Sequence, residues 1–129
     1  MNKLIFRIKH GFWKSDLWNL DYTIAKFVYP RLKCFVENNR VGSCYVNPED
    51  MKKCGLKPAK KEKKGGDVHK NWQIVLNEML FAIDYLANNK ESEVLSRVEN
   101  GNYNEYKQIE KRVRNGLILF GIYFQGLWD

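Results

Sequence analysis

DLWNLDYTIAKFVYPRLKCFV, residues Asp16 to Val36, carries the cleanest helical periodicity in the chain. At about 100° of turn per residue, Leu17, Leu20, Ile24, Phe27, Val28, Leu32, Phe35 and Val36 fall in one apolar arc running from about 240° round to about 80°. Asn19, Thr23, Lys26 and Lys33 take the opposite side. Pro30 sits in the middle of that polar side. There the carbonyl it leaves unpaired can reach water, so the helix bends rather than breaks. Two charges interrupt the apolar arc, Asp21 at about 0° and Arg31 at about 280°. Either they snorkel out at the edge of the core, or they are buried and paired. The paired reading takes its partners from the last long helix, where Glu110 and Arg114 lie on the inner side. Asp21, Arg31, Glu110 and Arg114 are then a buried polar network that fixes helix register, or the lining of a polar pocket.

The remaining sequence sets the limits around this helix. At 129 residues, the chain is long enough for one core and one domain. The net charge of +7 is concentrated in Arg40–Lys70, which has nine Lys and Arg against four acids. Three cysteines, Cys34, Cys44 and Cys54, do not make an even disulfide set and fit a reducing compartment. Cys34 falls at the edge of the apolar arc, where a buried free thiol is expected. The N-terminus MNKLIFRIKHGFW is too broken by charge for a signal peptide, and no apolar run is long enough to span a bilayer. The expectation is a cytoplasmic protein without a membrane partner.

Residues 1–14 read as an arm, extended or shortly helical, held across the bundle by Phe6 and Phe12 and ended by Gly11. Ser15 is the candidate cap for the helix that follows. Residues 40–66, with Gly42, Pro48, Gly55, Pro58 and Gly65-Gly66, read as a basic flexible loop. Its run KPAKKEKK offers Lys60, Lys61, Lys63 and Lys64 as nucleic-acid phosphate contacts. Alternatively, it is simply solvated. Cys44 and Cys54, with His69 beyond, lack the close pairing of a zinc site, so no metal and no cofactor are expected.

Asp67–Asn88 reads as a second long helix, apolar on two sides. Trp72, Val75, Leu76, Met79, Leu80 and Ile83 form one face, and Ile74, Phe81 and Tyr85 form another. Such a helix is either sandwiched between others or half of an interface. A short helix follows, with Ser92 as its cap and Val94, Leu95 and Val98 turned inward. Tyr103–Trp128 reads as the third long helix, apolar all round after Gly116 with Leu119, Ile118 and Ile122, so that half should be buried in the core or in a subunit contact. Ile74, Phe81, Tyr85, Ile118 and Ile122 are the candidate interface of a homo-oligomer. Gly116, Gly121 and Gly126 read as separate points of close approach.

The fold implied is all-α: a bundle of three long helices plus a short one, with a basic loop inserted between the first two long helices. Chemistry is thinly represented. There is no Glu-x-x-His pair, Gly-rich phosphate loop, His-Glu-x-x-His or nucleophile elbow. No catalytic residue is nominated. Three segments, DLWNLDYTIAKFVYPRLKCF, NWQIVLNEMLFAI and LFGIYFQGLWD, resemble a group of small tailed-bacteriophage proteins of unknown activity. The Trp-x-Leu-Asp and Pro-Arg-Leu elements and the closing Leu-Trp-Asp carry most of that resemblance. It covers about half the chain and implies a phage accessory protein acting in the host cytoplasm. Such a protein would bind a host or phage protein without catalysis, inhibition of a host defence being one such role. The alternatives are nucleic-acid association through the lysine-rich loop, and capture of a small molecule or nucleotide in a bundle pocket.

Overall fold

A computed structural model describes residues 1–38, 42–98, 101 and 103–128. Among these residues six α-helices follow in order: α1 Lys3–His10, α2 Leu20–Asn38, α3 Pro48–Lys53, α4 Gly66–Ala87, α5 Lys90–Val98 and α6 Tyr103–Ile122. Two 3-10 turns, Lys14–Leu17 and Phe124–Gly126, precede α2 and follow α6. No strand occurs among the described residues. The expected all-α bundle is the fold.

α4 is the hub. It packs along α2 on one side and α6 on another, and α5 closes over its end. Its two apolar sides are therefore both used inside one chain. Trp72, Val75, Leu76, Met79 and Ile83 join Ala25 and Leu32 of α2 and Leu119 of α6 in the main core. Ala82 and Tyr85 join Val94 of α5 and Val113 of α6 in a second cluster. Burying each large apolar side chain of this kind is worth about 1.5–3 kcal/mol. α6 runs antiparallel to α4, since Trp72 meets Tyr123 at 6.4 Å while Tyr85 meets Glu110. Where they cross, Gly116 lies against the backbone of Glu78 and the side chain of Ala82. Any side chain there would push the helices apart.

Three departures from the sequence reading have identifiable causes. The 40–66 segment contains α3. Asn47 caps it by accepting the Glu49 N–H at 3.0 Å, and Pro48 stands in its first turn, with acids there and lysines in the last. Pro at the first helical position starts a helix rather than breaking one. The third long helix stops at Ile122 instead of running to Trp128. The Tyr123 hydroxyl donates to Asp50 Oδ2 at 2.6 Å and accepts the Asn47 N–H at 2.9 Å. Gly126 meanwhile seats against Cys44 and Trp72. These tertiary anchors outweigh the propensity of a glycine-weakened helix end.

The arm is a helix, and it does not lie across the bundle. Phe6 packs on Phe12 and Trp13 within the arm itself, with ring centroids 5.7 and 5.3 Å apart. Ser15 is not its neighbour's cap: the Asp16 carboxylate instead accepts the Trp13 N–H at 3.4 Å.

Candidate binding groove

α2 presents a wider apolar arc than one neighbouring helix can cover. Its face toward α4 is covered, with Ala25 and Leu32 buried and Val28, Tyr29, Phe35 and Val36 half-buried. The flank at about 240–300° is open. There Leu20 is 48% exposed, Ile24 51% and Phe27 61%. Arg31 lies on the same flank. Its guanidinium stacks on the Phe27 ring at 3.8 Å and donates to the Phe27 carbonyl at 2.8 Å. That geometry holds a cation at the rim of an apolar surface.

The C-terminal end supplies the facing wall. Phe120 and Phe124 pack edge-on at 5.4 Å, and Leu127 follows in the turn after α6. Between these walls lies a groove of about 310 Å³, lined by Phe27, Val28, Arg31, Leu32, Phe35, Phe120, Phe124 and Leu127. All of these are apolar but Arg31. Leu117 is exposed on α6 about one turn before Phe120, on the same helical side. A groove of this make-up suits an apolar helix face and offers nothing to activate a bond.

The four residues nominated as a buried network do not form one. Arg31 is exposed and engages Phe27. Asp21 is exposed and lines a separate polar pocket of about 370 Å³ with Tyr22, Tyr85, Asn89 and Glu91. Glu110 is half-buried and accepts the Tyr85 hydroxyl at 3.1 Å. Arg114 is exposed beside Glu110 and Tyr106 at the rim of a further cavity. Two tyrosine–carboxylate pairs tie α6 to its other neighbours, Tyr85 of α4 with Glu110 and Tyr106 with Glu91 of α5 at 2.9 Å. Burial first, and then Glu110, pushes the Tyr85 phenol far above its usual range. The Glu91 hydrogen bond chiefly pushes Tyr106 up to about 12.

The candidate oligomer face divides in the same way. Tyr85 is buried. Phe81 lies beneath the Arg112 guanidinium at 3.7 Å, and Arg112 also grips Glu78 through two 2.9 Å hydrogen bonds. Ile74 packs on the main core. All three thus make contacts within one chain, Tyr85 buried and Ile74 and Phe81 half-buried. Ile118 and Ile122 are exposed, so the monomer core does not bury them.

Lys60, Lys61, Lys63 and Lys64 are exposed on a segment tied back to α4. The Ala59 N–H donates to Asn71 Oδ1 at 2.7 Å, the Glu62 N–H donates to Asp67, and Lys70 pairs with Glu62. The lysines therefore project from an anchored stretch. Near it, Ser43 Oγ and His69 Nδ1 are 2.8 Å apart. Cys44 lines an adjacent cavity of about 440 Å³ with Trp72, Tyr123 and Trp128. Burial raises the Cys44 thiol, and burial with Asp50 and Glu78 raises Cys54, so neither is a ready nucleophile at neutral pH. Cys34 is exposed rather than buried. Among the described residues no three His, Cys, Asp or Glu side chains gather to hold a metal. No helix among them is long and apolar enough to cross a membrane.

Periodicity alone puts Leu20, Ile24 and Phe27 in the core. The signal that they lie outside it is present in the sequence. Arg31 falls at about 280°, among Leu20, Ile24 and Phe27, and a charge there marks that flank as open.

Comparison with known protein families, with curated proteins and with solved structures gives no match.

Proposed function

We propose that this is a non-catalytic binding protein whose groove between α2 and the end of α6 takes an amphipathic helix of another protein. One observation carries the reading: Leu20, Ile24 and Phe27 form an open apolar stripe leading into a groove of about 310 Å³ with a single cation at its rim. Monomeric proteins rarely leave a contiguous apolar surface of this extent without a use. The partner helix would present apolar residues at i, i+3 or i+4, and i+7, with an acidic residue to meet Arg31. With the resemblance to phage proteins, the setting is the host cytoplasm and the partner a host or phage protein, a component of host defence being one such target.

Native mass spectrometry of the protein isolated gently from its host tests this. The wild type should retain a protein partner, and a folded Phe27→Glu/Phe124→Glu variant should lose it. Equal retention by both excludes the groove. A dimer that the double variant splits would make the occupant a second copy, in line with the expected self-association but through a different face.

The exposed lysines favour one second reading, nucleic-acid association. It requires binding to DNA or RNA that falls steeply with salt and is lost when Lys60, Lys61, Lys63 and Lys64 become Ala.

A further inference from the structure

α1 has an apolar face with no partner. Leu4 is 66% exposed, Ile5 56% and Ile8 77%, and no residue of the helix is buried. The helix is nonetheless well made. Asn2 caps it through the Leu4 N–H at 2.8 Å, and Gly11 ends it at φ 82°, donating to the Arg7 carbonyl at 2.7 Å. On the other side Phe6 stacks with His10 at 4.3 Å and seats on Phe12 and Trp13. These contacts lie within the arm itself.

Its charges are arranged around the open face. With Lys3 at 0°, Leu4, Ile8 and Ile5 span about 100–200°, Arg7 borders them at about 40° and Lys9 at about 240°. Residues 1–14 hold Lys3, Arg7, Lys9 and Lys14 and not one acid. Cations on both borders of a narrow apolar arc can snorkel to a charged plane while the arc sinks below it. A second copy of this chain is a poor match, because its net charge of +7 repels the arm. A nucleic acid would use the cations and leave Leu4, Ile5 and Ile8 in water.

We propose that α1 lies in the surface of an anionic lipid bilayer, with Leu4, Ile5 and Ile8 among the acyl chains and Arg7 and Lys9 at the phosphates. This is contact without crossing, since no helix among the described residues is long and apolar enough to cross a membrane. The binding is electrostatic in its selectivity: each cation near an anionic surface contributes about a fivefold gain, and salt weakens it. This surface is separate from the α2–α6 groove, so each reading can fail alone.

Sedimentation of the full chain with vesicles tests it. Vesicles of phosphatidylcholine with about one third phosphatidylglycerol should carry the protein down at low salt, and pure phosphatidylcholine vesicles should not. Ile5→Asp/Ile8→Asp and Arg7→Glu/Lys9→Glu should each lower binding by tenfold or more. Both variants should keep the wild-type circular dichroism and melting temperature, since α1 contributes nothing to the core. No sedimentation with the anionic vesicles overturns the proposal. So does binding that survives Ile5→Asp/Ile8→Asp, or that depends on Lys60, Lys61, Lys63 and Lys64 instead. Self-association lost in Ile5→Asp/Ile8→Asp, without vesicle binding, assigns the face to a second copy and overturns it equally.

Discussion

Gly116→Ala sets two opposing effects against each other. Alanine in place of glycine within a helix gains about 1 kcal/mol from propensity. Against that, a Cβ at position 116 would sit 2.5 Å from the Glu78 carbonyl oxygen and 2.7 Å from Ala82 Cβ. Neither neighbour is the free end of a flexible side chain, so α4 and α6 must separate at their crossing. Overpacking of this kind costs about 1–3 kcal/mol and sometimes more, and here it also loosens Val113 and Leu119 on either side. With the overpacking cost in the middle to upper part of that range, the net expectation is a loss of about 1–2 kcal/mol, or roughly 4–8 °C in Tm for a domain of this size. Gly121 is the control. It lies in the last turn of the same helix, and a Cβ added there would meet nothing within 4 Å. Gly121→Ala should gain about 0.5 kcal/mol, a discounted share of the propensity difference because helix ends fray. Urea and thermal denaturation followed by circular dichroism read both. A Gly116→Ala variant as stable as wild type would refute the close crossing of α4 and α6.

Three further outcomes follow from the contacts. Arg31→Ala should change stability by less than about 0.5 kcal/mol, because the side chain is exposed and leaves no buried charge behind; a loss of about 3 kcal/mol in urea denaturation would instead mean a buried pair. Arg112→Ala should cost about 1–2 kcal/mol by the same assay, since Glu78 is mostly covered while Arg112 is half exposed. Tyr85, Tyr106 and Tyr123 should ionise late in a titration followed by ultraviolet absorbance, Tyr106 and Tyr123 near 12. Their folded-state values lie above the unfolded value of about 10, so their contribution is complete below pH ~10 and is lost as pH rises beyond it. Tyr85, Tyr106 and Tyr123 titrating near 10 while the fold persists would contradict these hydrogen bonds.

Much of the architecture is legible in periodicity. α2, α4 and α6 stand where apolar residues recur at three and four, because a long amphipathic pattern has few other solutions. The two-sided apolar pattern of α4 leaves a choice between a central helix and an interface, and the contacts of Phe81 and Tyr85 resolve it toward the centre. What the sequence hides depends on partners distant in the chain. The end of α6 is set by Asp50 and Asn47, more than seventy residues away. α3 is legible in principle from Asn47-Pro48-Glu49-Asp50, a cap followed by proline and acids, but the proline reads as a breaker unless its position is weighed. The groove is hidden for another reason. Periodicity shows which side of a helix is apolar, not how much of that side a neighbour covers.

A photo-crosslinker placed at two positions tests the α2–α6 groove most directly. Benzoylphenylalanine is introduced in place of Phe27 in one sample and Lys60 in another, and each is irradiated in the host cell. A binding groove between α2 and α6 predicts a discrete protein adduct from position 27, abolished by adding Phe124→Glu on the opposite wall, and no comparable adduct from position 60. A nuclease-sensitive adduct from position 60 with none from position 27 would contradict it and move the binding surface to the lysine-rich segment.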